Sequence, residues 1–437
     1  MTRQPRAMCP HIAIFGRCNA GKSSLMNALA GQNLSLVSPV AGTTADPVEK
    51  SVEIPPLGPV VIIDTAGLDD TGGLGELRAR RAESALASAD LALLVSDGSW
   101  GQCEERLRAM LAERGIPAVV VWNGSGREHP APKTAEILER SGLPQVFVSA
   151  LHGTGMAELV RAISLALPEA ALAPPPMLRD LVPAGSVCLF VAPIDGGAPK
   201  ARLIAPQAQA LRDCLDGHAV GVMVQPEELG MALTALRHPP SLLVCDSQAV
   251  HVCAREAPPE TPLTTYSILM ARMKGDLATL AAGAAAIHSL TDKDRVCVSE
   301  ICAHHAQPDD IGRVKIPALL RKFTGAELEI HFASGRDFPD NLEDFRLVVH
   351  CGGCMANRAA MLTRIAEARR RNVPITNYGV AISLMHGVLE RSLEIFPGAL
   401  AAYRSARPDK ADRRDGNTPP ARPVPSPTSY PMETAYE

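Results

Sequence analysis

The segment Gly16-Arg17-Cys18-Asn19-Ala20-Gly21-Lys22-Ser23 constrains this chain more than any other feature. It follows an apolar run, His11–Phe15, and opens a helical pattern over Ser23–Ala30. Glycine, four residues, glycine, lysine and a hydroxyl in that setting form a strand–loop–helix cradle for a polyphosphate. The glycines let backbone N–H groups turn inward, the helix N-terminus adds positive potential, and the lysine reaches the β/γ-phosphates. The expected phosphate-binding residues are therefore Gly16, Arg17, Cys18, Asn19, Ala20, Gly21, Lys22, Ser23 and Ser24. A loop of this kind sits at the carboxyl end of a parallel strand, so the surrounding fold must be α/β.

The rest of the first 172 residues agrees with that constraint. Val60–Ile63, Leu91–Val95, Ala118–Trp122 and Val146–Val148 are continuous apolar runs, as expected of strands buried on both faces. Helical patterns at Gly75–Ala89 and Cys103–Arg114 alternate with them, which predicts a doubly wound P-loop sheet over residues 1–172. Pro174-Pro175-Pro176 cannot continue a helix and marks a boundary. Two further α/β domains are expected, at 177–262 and 263–403. The first has strands at Val187–Ala192, Ala219–Val224 and Ser241–Cys245. The second opens on a long Ala-rich helical pattern from Thr264 to His288. Strands then follow at Arg295–Ile301, Glu327–Phe332, Phe345–Val349 and Val373–Thr376. Residues 404–437, with seven prolines and little that could form a core, read as a disordered tail.

Bulk composition narrows the function classes. With 43 basic and 47 acidic residues the net charge is −4, so no overall basic excess draws the chain onto nucleic acid. Aromatic residues are 3% of the chain, which leaves few platforms for base stacking. No apolar run approaches the roughly 18 residues of a membrane helix, and the N-terminal residues lack a secretory pattern. A cytoplasmic protein with neither nucleic acid nor membrane as partner is expected. The odd total of 11 cysteines, spread along the chain, implies mostly free thiols, and a tight cluster among them reads as a metal site.

Asp64-Thr65-Ala66-Gly67 closes the strand Val60–Ile63, where an aspartate approaches Mg²⁺ and the Gly67 N–H is placed to sense a γ-phosphate. Thr44 of Gly42-Thr43-Thr44 occupies the place of a switch threonine. Lys22, Thr44, Asp64 and Gly67 are thus the candidate catalytic residues, and Ser23, Thr44 and Asp64 the candidate Mg²⁺ ligands. Ser149-Ala150, after the strand Val146–Val148, fits a base-supporting loop. These features resemble the GTPase superclass, in the branch of Era and the tRNA-modification GTPases. The resemblance implies GTP as the nucleotide and, through Asn19, K⁺ as a further ion. That family reads guanine with N-K-x-D, whereas Asn123-Gly124-Ser125-Gly126 keeps only the asparagine. Loss of the carboxylate predicts weak or loosely specific guanine recognition. Leu68 stands where a catalytic glutamine would follow, so turnover should be slow and the nucleotide site a switch.

A second constellation pairs Cys302-Ala303-His304-His305 with His350-Cys351-Gly352-Gly353-Cys354. Each group ends an expected strand, and loops beyond the carboxyl ends of parallel strands converge on one crevice. Cys302, Cys351, Cys354 and one histidine satisfy a tetrahedral zinc ion. The same three cysteines equally hold a [4Fe–4S] cluster, with one iron left for His304, His350 or an outside ligand. Spacing leaves both open.

Behind a P-loop domain, the C-x-H…H-C-x-x-C arrangement resembles the HydF family of [FeFe]-hydrogenase maturation GTPases. Gly42–Val48, Pro193-Ile194-Asp195, Ala198-Pro199-Lys200 and Asp309–Pro317 add to the likeness, which spans about residues 10–400. The resemblance implies a GTPase domain, a dimerisation domain and a cluster domain. It also implies a [4Fe–4S] cluster on Cys302, Cys351 and Cys354, with the fourth site open or taken by His304 or His350. A homo-oligomer is implied, with radical-SAM maturases and the [FeFe]-hydrogenase apoprotein as partners. Two other readings share parts of the pattern: an RNA- or ribosome-associated GTPase, and a zinc-stabilised GTPase interaction protein.

Overall fold

The computed structural model describes residues 5–31, 48–65, 75–98, 100–124, 132–194, 203–301, 310–335 and 338–408. The first sheet holds β1 (His11–Gly16), β2 (Val48–Ile54), β3 (Gly58–Asp64), β4 (Leu91–Ser96), β5 (Ala118–Asn123) and β6 (Gln145–Val148). Their order is β2-β3-β1-β4-β5-β6, parallel except for the antiparallel β2–β3 hairpin. The helices α1 (Lys22–Ala30), α2 (Gly75–Ser88), α3 (Gln102–Glu113), α4 (Pro132–Ser141) and α5 (Met156–Ala166) connect or follow these strands. β1 and β4 are buried at every position, and two separate apolar clusters lie on opposite faces of the sheet. Continuous apolar runs are what a strand covered on both faces requires. A short helix, α6 (Glu169–Leu172), precedes the proline boundary.

Beyond it lie two four-stranded sheets. The first contains β7 (Val187–Val191), β8 (Val220–Val224), β9 (Leu242–Cys245) and β10 (Leu263–Thr265), with α7 (Ala205–Asp216), α8 (Leu229–Ala235) and α9 (Val250–Glu256). After α10 (Tyr266–Lys274) and α11 (Leu277–Ala284), the second contains β11 (Arg295–Glu300), β12 (Glu329–Ser334), β13 (Leu347–His350) and β14 (Ile375–Asn377). α12 (Ile316–Thr324) and α13 (Arg358–Arg370) connect those strands; α14 (Tyr378–Met385), α15 (Leu389–Leu393) and α16 (Pro397–Ala406) close the chain.

Both sheets are parallel and share one order, β8-β7-β9-β10 and β12-β11-β13-β14. The repeat shows in the sequence, where Pro262-Leu263-Thr264-Thr265-Tyr266 matches Pro374-Ile375-Thr376-Asn377-Tyr378. In each copy the last strand residue caps the next helix: Thr265 accepts from the Ile268 N–H and Asn377 from the Val380 N–H. The two copies meet where Asn377 Nδ2 donates to Ser267 O (3.1 Å) and the Gly379 N–H to Ser267 Oγ (3.1 Å). A single apolar cluster runs through both, from Met177 to Tyr403.

Three expectations need correction. The central sheet takes in β10 and so passes the boundary at 262; a three-residue strand ending in a helix cap is too short to read as a strand. The helical pattern from Thr264 to His288 is β10, α10 and α11 followed by a 3₁₀ turn. Gly275 ends α10, and Asp276 caps α11 by accepting from the Thr279 N–H. Arg404–Ala406 belong to α16, and residues 409–437 of the expected disordered tail lie outside the described residues. No helix among the described residues is long and apolar enough to cross a membrane.

Candidate functional site

The phosphate loop runs from Gly16, the last residue of β1, to Lys22, the first of α1. Gly21 adopts φ +86°, a left-handed conformation that aims the following N–H groups inward, and a Cβ there would lie 2.1 Å from Asn123 Nδ2. Lys22 is buried, and its Nζ donates to Gly16 O (3.0 Å) and Arg17 O (2.7 Å). The ammonium is therefore held at the mouth of the loop, where the β/γ-phosphates belong. Ser23 Oγ donates to Asp64 Oδ2 at 3.3 Å, while Asp64 Oδ1 is buried without a hydrogen-bond partner. A buried, orphaned carboxylate oxygen beside a serine hydroxyl fits a divalent cation. Cys18 and Ser24 are exposed at the loop and on the first turn of α1. Thr44 and Gly67 lie outside the described residues.

Asn123 joins three loops. Its Nδ2 donates to Ala20 O (3.1 Å), its Oδ1 accepts from the Ala150 N–H (3.0 Å), and the Gly124 N–H donates to Val148 O (3.1 Å). Ala150, next to Ser149, is thus held at the end of β5, whereas Ser125 and Gly126 lie outside the described residues. Nothing in the local pattern around Glu104 signals its role. It sits buried on α3 and takes Arg17 in a bidentate pair, Nε at 2.6 Å and Nη2 at 2.9 Å, together with the Gly101 N–H at 2.8 Å. Burial pushes the Glu104 carboxyl up, but the hydrogen bonds from Arg17 and Gly101 outweigh it and hold the group below its ordinary range.

The cysteine loop follows β13, and Cys302 follows β11 by two residues. β11 and β13 are neighbours, with strand order reversing between them, so the crevice beyond their carboxyl ends is the expected ligand position. The Cys351 N–H donates to Ser299 O (2.8 Å), and the Ile301 N–H donates to Cys351 Sγ (3.4 Å). The residue before Cys302 thus touches the Cys351 sulfur, and an N–H···S contact of this kind stabilises a metal-bound thiolate. Cys351 and Cys354 are partly exposed, and Gly353 turns the chain between them at φ +61°. Among the described residues no three such ligands gather into a metal site; Cys302 and His304 lie outside them.

His350 is differently placed from what its position beside Cys351 suggests. Its Nδ1 contacts Cys351 O (2.7 Å) and its Nε2 contacts Arg364 Nη1 (3.0 Å). A guanidinium has donors only, so Nε2 accepts and Nδ1–H donates. Burial, with the Arg364 charge beside it, brings the imidazole pKa down to about 3. Both nitrogens of this neutral ring are engaged by the protein. Arg364 also donates to Ser299 Oγ (2.9 Å) and Gly335 O (2.5 Å) and faces the Phe338 ring. Below the loop, buried Lys274 donates to the carbonyls of Gly353 (3.2 Å), Cys354 (3.1 Å) and Ala356 (2.7 Å).

Comparison with known families decides the identity. Residues 177–275 match the Hydrogen maturase F dimerization domain and residues 278–395 the Hydrogen maturase F tetramerization domain. Residues 11–124 match the family described as 50S ribosome-binding GTPase. The chain belongs to the HydF family. Outside the two HydF-specific units, its likeness is to other GTPases. It is 39% identical over 168 residues to GTPase Der of Solidesulfovibrio magneticus, covering 37% of each chain. It is 36% identical over 157 residues to the tRNA modification GTPase MnmE of Chloroflexus aurantiacus, covering 36% of this chain and 34% of that one. A solved structure of an Aquifex aeolicus Era variant bound to GDP·AlF₄⁻ is 33% identical with a TM-score of 0.30, covering 36% of this chain and 57% of that one. The chain spans about a third of the length of these curated relatives. In this HydF chain the exposed edges agree with self-association domains: Val220 on edge strand β8 and Phe332 on edge strand β12 are about half exposed.

Proposed function

We propose that this chain is a slow GTPase that serves as scaffold and carrier for the diiron part of the [FeFe]-hydrogenase cofactor, in the cytoplasm and as a homo-oligomer. A [4Fe–4S] cluster held by Cys302, Cys351 and Cys354 is its metal centre. The observation that carries the reading is the Ile301 N–H on Cys351 Sγ, which draws the Cys302 end of β11 to the cysteine loop behind a phosphate-binding domain. When bound, the cluster supplies an iron whose fourth ligand is exchangeable and so leaves a place for a bridging cargo group. His350 is held by Arg364, which leaves that place to His304 or to an outside ligand. The two HydF-specific units, through their family, favour radical-SAM maturases as the source of the cargo and apo-hydrogenase as its destination.

In the first domain Lys22 would steady the β/γ-phosphates, Ser23 and Asp64 would hold Mg²⁺ together with Thr44, and Asn19 would help hold K⁺. Asn123 braces the base pocket without the lysine and aspartate that usually read guanine. Anaerobic purification tests the metal assignment. A brown protein with about four irons per chain is expected; one zinc and no colour would overturn it. Loss of hydrogenase maturation in Lys22→Ala, with iron content unchanged, is the expected sign that the nucleotide acts in delivery.

A further inference from the structure

The first domain's apolar clusters are separate from the one that fills the rest of the molecule, against which the first domain's Met8 packs; polar side chains also cross the boundary. A small crevice of about 20 Å³ lies at this boundary, with Cys9, Asp90, Pro174, Lys274, Asn357 and Arg358 in its wall. Asn357 follows Cys354 by three residues and is 4% exposed. Its Oδ1 accepts from the Ala360 N–H (3.2 Å) and caps α13. Its Nδ2 points across the boundary and donates to Ser88 O (2.8 Å), at the end of α2, and to Asp90 Oδ2 (3.2 Å). That same carboxylate oxygen accepts from the His11 N–H (2.8 Å). His11 opens β1, the strand that ends in the phosphate loop. Pro10 O accepts from the Val61 N–H (2.8 Å) of β3, which ends in Asp64. Both strands that feed the nucleotide site are therefore anchored where Asn357 docks.

On the other side, the segment from Gly353 to Ala356 is gathered by three carbonyls onto Lys274 Nζ. Arg358 Nη1 donates to Met273 O (2.8 Å) and Gly275 O (3.2 Å). A shift of Asn357 thus carries the cysteine loop with it rather than being absorbed by slack chain. We propose that Asn357 is the positioning residue through which the nucleotide domain sets the Cys351–Cys354 loop, by way of Asp90 and the start of β1. A capping role alone would leave Nδ2 free to face water; here it is the buried end of the side chain. The inference rests on the cysteine loop being the functional centre proposed above, but not on which metal it holds.

The test uses full-length apoprotein, so that metal identity does not enter. Iodoacetamide alkylation of Cys351 and Cys354 is followed by peptide mass spectrometry with GDP and with a non-hydrolysable GTP analogue. In the parent chain the two states should differ by about fivefold or more, the low end of coupling between distant sites. Asn357→Ser keeps a good helix cap but is too short to cross the boundary. It should erase the difference while nucleotide affinity is unchanged, and Asp90→Ala should do the same from the opposite side. Equal rates in the parent chain, or a difference that survives Asn357→Ser, would overturn the inference. Iron analysis of the holoprotein fails or succeeds separately and reports on the proposed function.

Discussion

Gly21 and Asn123 offer a quantitative test of the nucleotide site. Gly21 stands at φ +86°, and a Cβ added there would come within 2.1 Å of Asn123 Nδ2. Gly21→Ala holds an L-residue in the left-handed region, at about 1–2 kcal/mol. It also displaces the Asn123 amide from Ala20 O and the Ala150 N–H, and two neutral hydrogen bonds add roughly 2 kcal/mol. The loop shape is the phosphate site, so a sum of ~3.5 kcal/mol should weaken GDP binding roughly 300-fold. Asn123→Ala alone loses only the two hydrogen bonds, ~2 kcal/mol, or roughly 30-fold. In the double variant the clash has no target, so the loss should stay near ~300-fold rather than reach the additive ~10⁴-fold. Titration with a fluorescent GDP analogue reads all three. A double variant at the additive level would refute the steric coupling between phosphate loop and base loop.

Glu104→Gln should lower stability at pH 7 by about 1–2 kcal/mol, because Arg17 loses a charged partner but its side chain stays about a third exposed. The parent carboxyl titrates below its ordinary value when folded, so its contribution is present above the unfolded pKa, ~4.3. That contribution is lost as pH falls through the folded value; urea midpoints should converge in acid, and a gap that is the same at both pH values would count against the ion pair. Gly283→Ala adds a good helix former to α11, worth ~1 kcal/mol in isolation. Its Cβ would meet Ile375 O at 2.0 Å on β14, so a net loss of about 2 kcal/mol or more is expected on denaturation; a stabilised protein would show that α11 is free to move.

The parts of the fold that read directly from sequence are those whose cause is local. β1, β3, β4 and β5 are near-continuous apolar runs because both faces are covered, and the phosphate loop is a contiguous motif. β2 was not anticipated: Val48–Ile54 carries two glutamates and a lysine, tolerable because it is an antiparallel edge strand. The site residues that escaped notice have partners far along the chain. Glu104 lies 87 residues from Arg17, Lys274 lies 80 from Cys354, and Asn357 lies 267 from Asp90. In sequence each is only a glutamate in a helix, a lysine near a helix end, or an asparagine before a helix. His350 misled in the opposite sense, because its neighbour Cys351 is in the sequence and its partner Arg364 is on α13.

The repeated sheets explain why so few of the cysteines are candidates for metal. Each copy has its crevice between the first and third of its strands, β7 and β9 in one, β11 and β13 in the other. Both crevices are bordered by cysteine. Cys245 is the last residue of β9 and is fully buried, with its Sγ donating to Thr264 O (3.6 Å) of the neighbouring strand. Cys188 and Cys297 sit inside β7 and β11 and are likewise buried. Burial raises the thiol pKa of Cys245 and Cys297, and of Cys351 as well, but only at Cys351 do N–H groups, from Ile301 and Gly353, act against it. Cys351 stands one residue past the end of β13, where the chain has left the sheet and its sulfur meets the Ile301 N–H. A single step in register separates a core thiol from a candidate ligand. The alkylation experiment should show it directly, with Cys351 and Cys354 modified in the folded apoprotein while Cys188, Cys245 and Cys297 are protected until it unfolds.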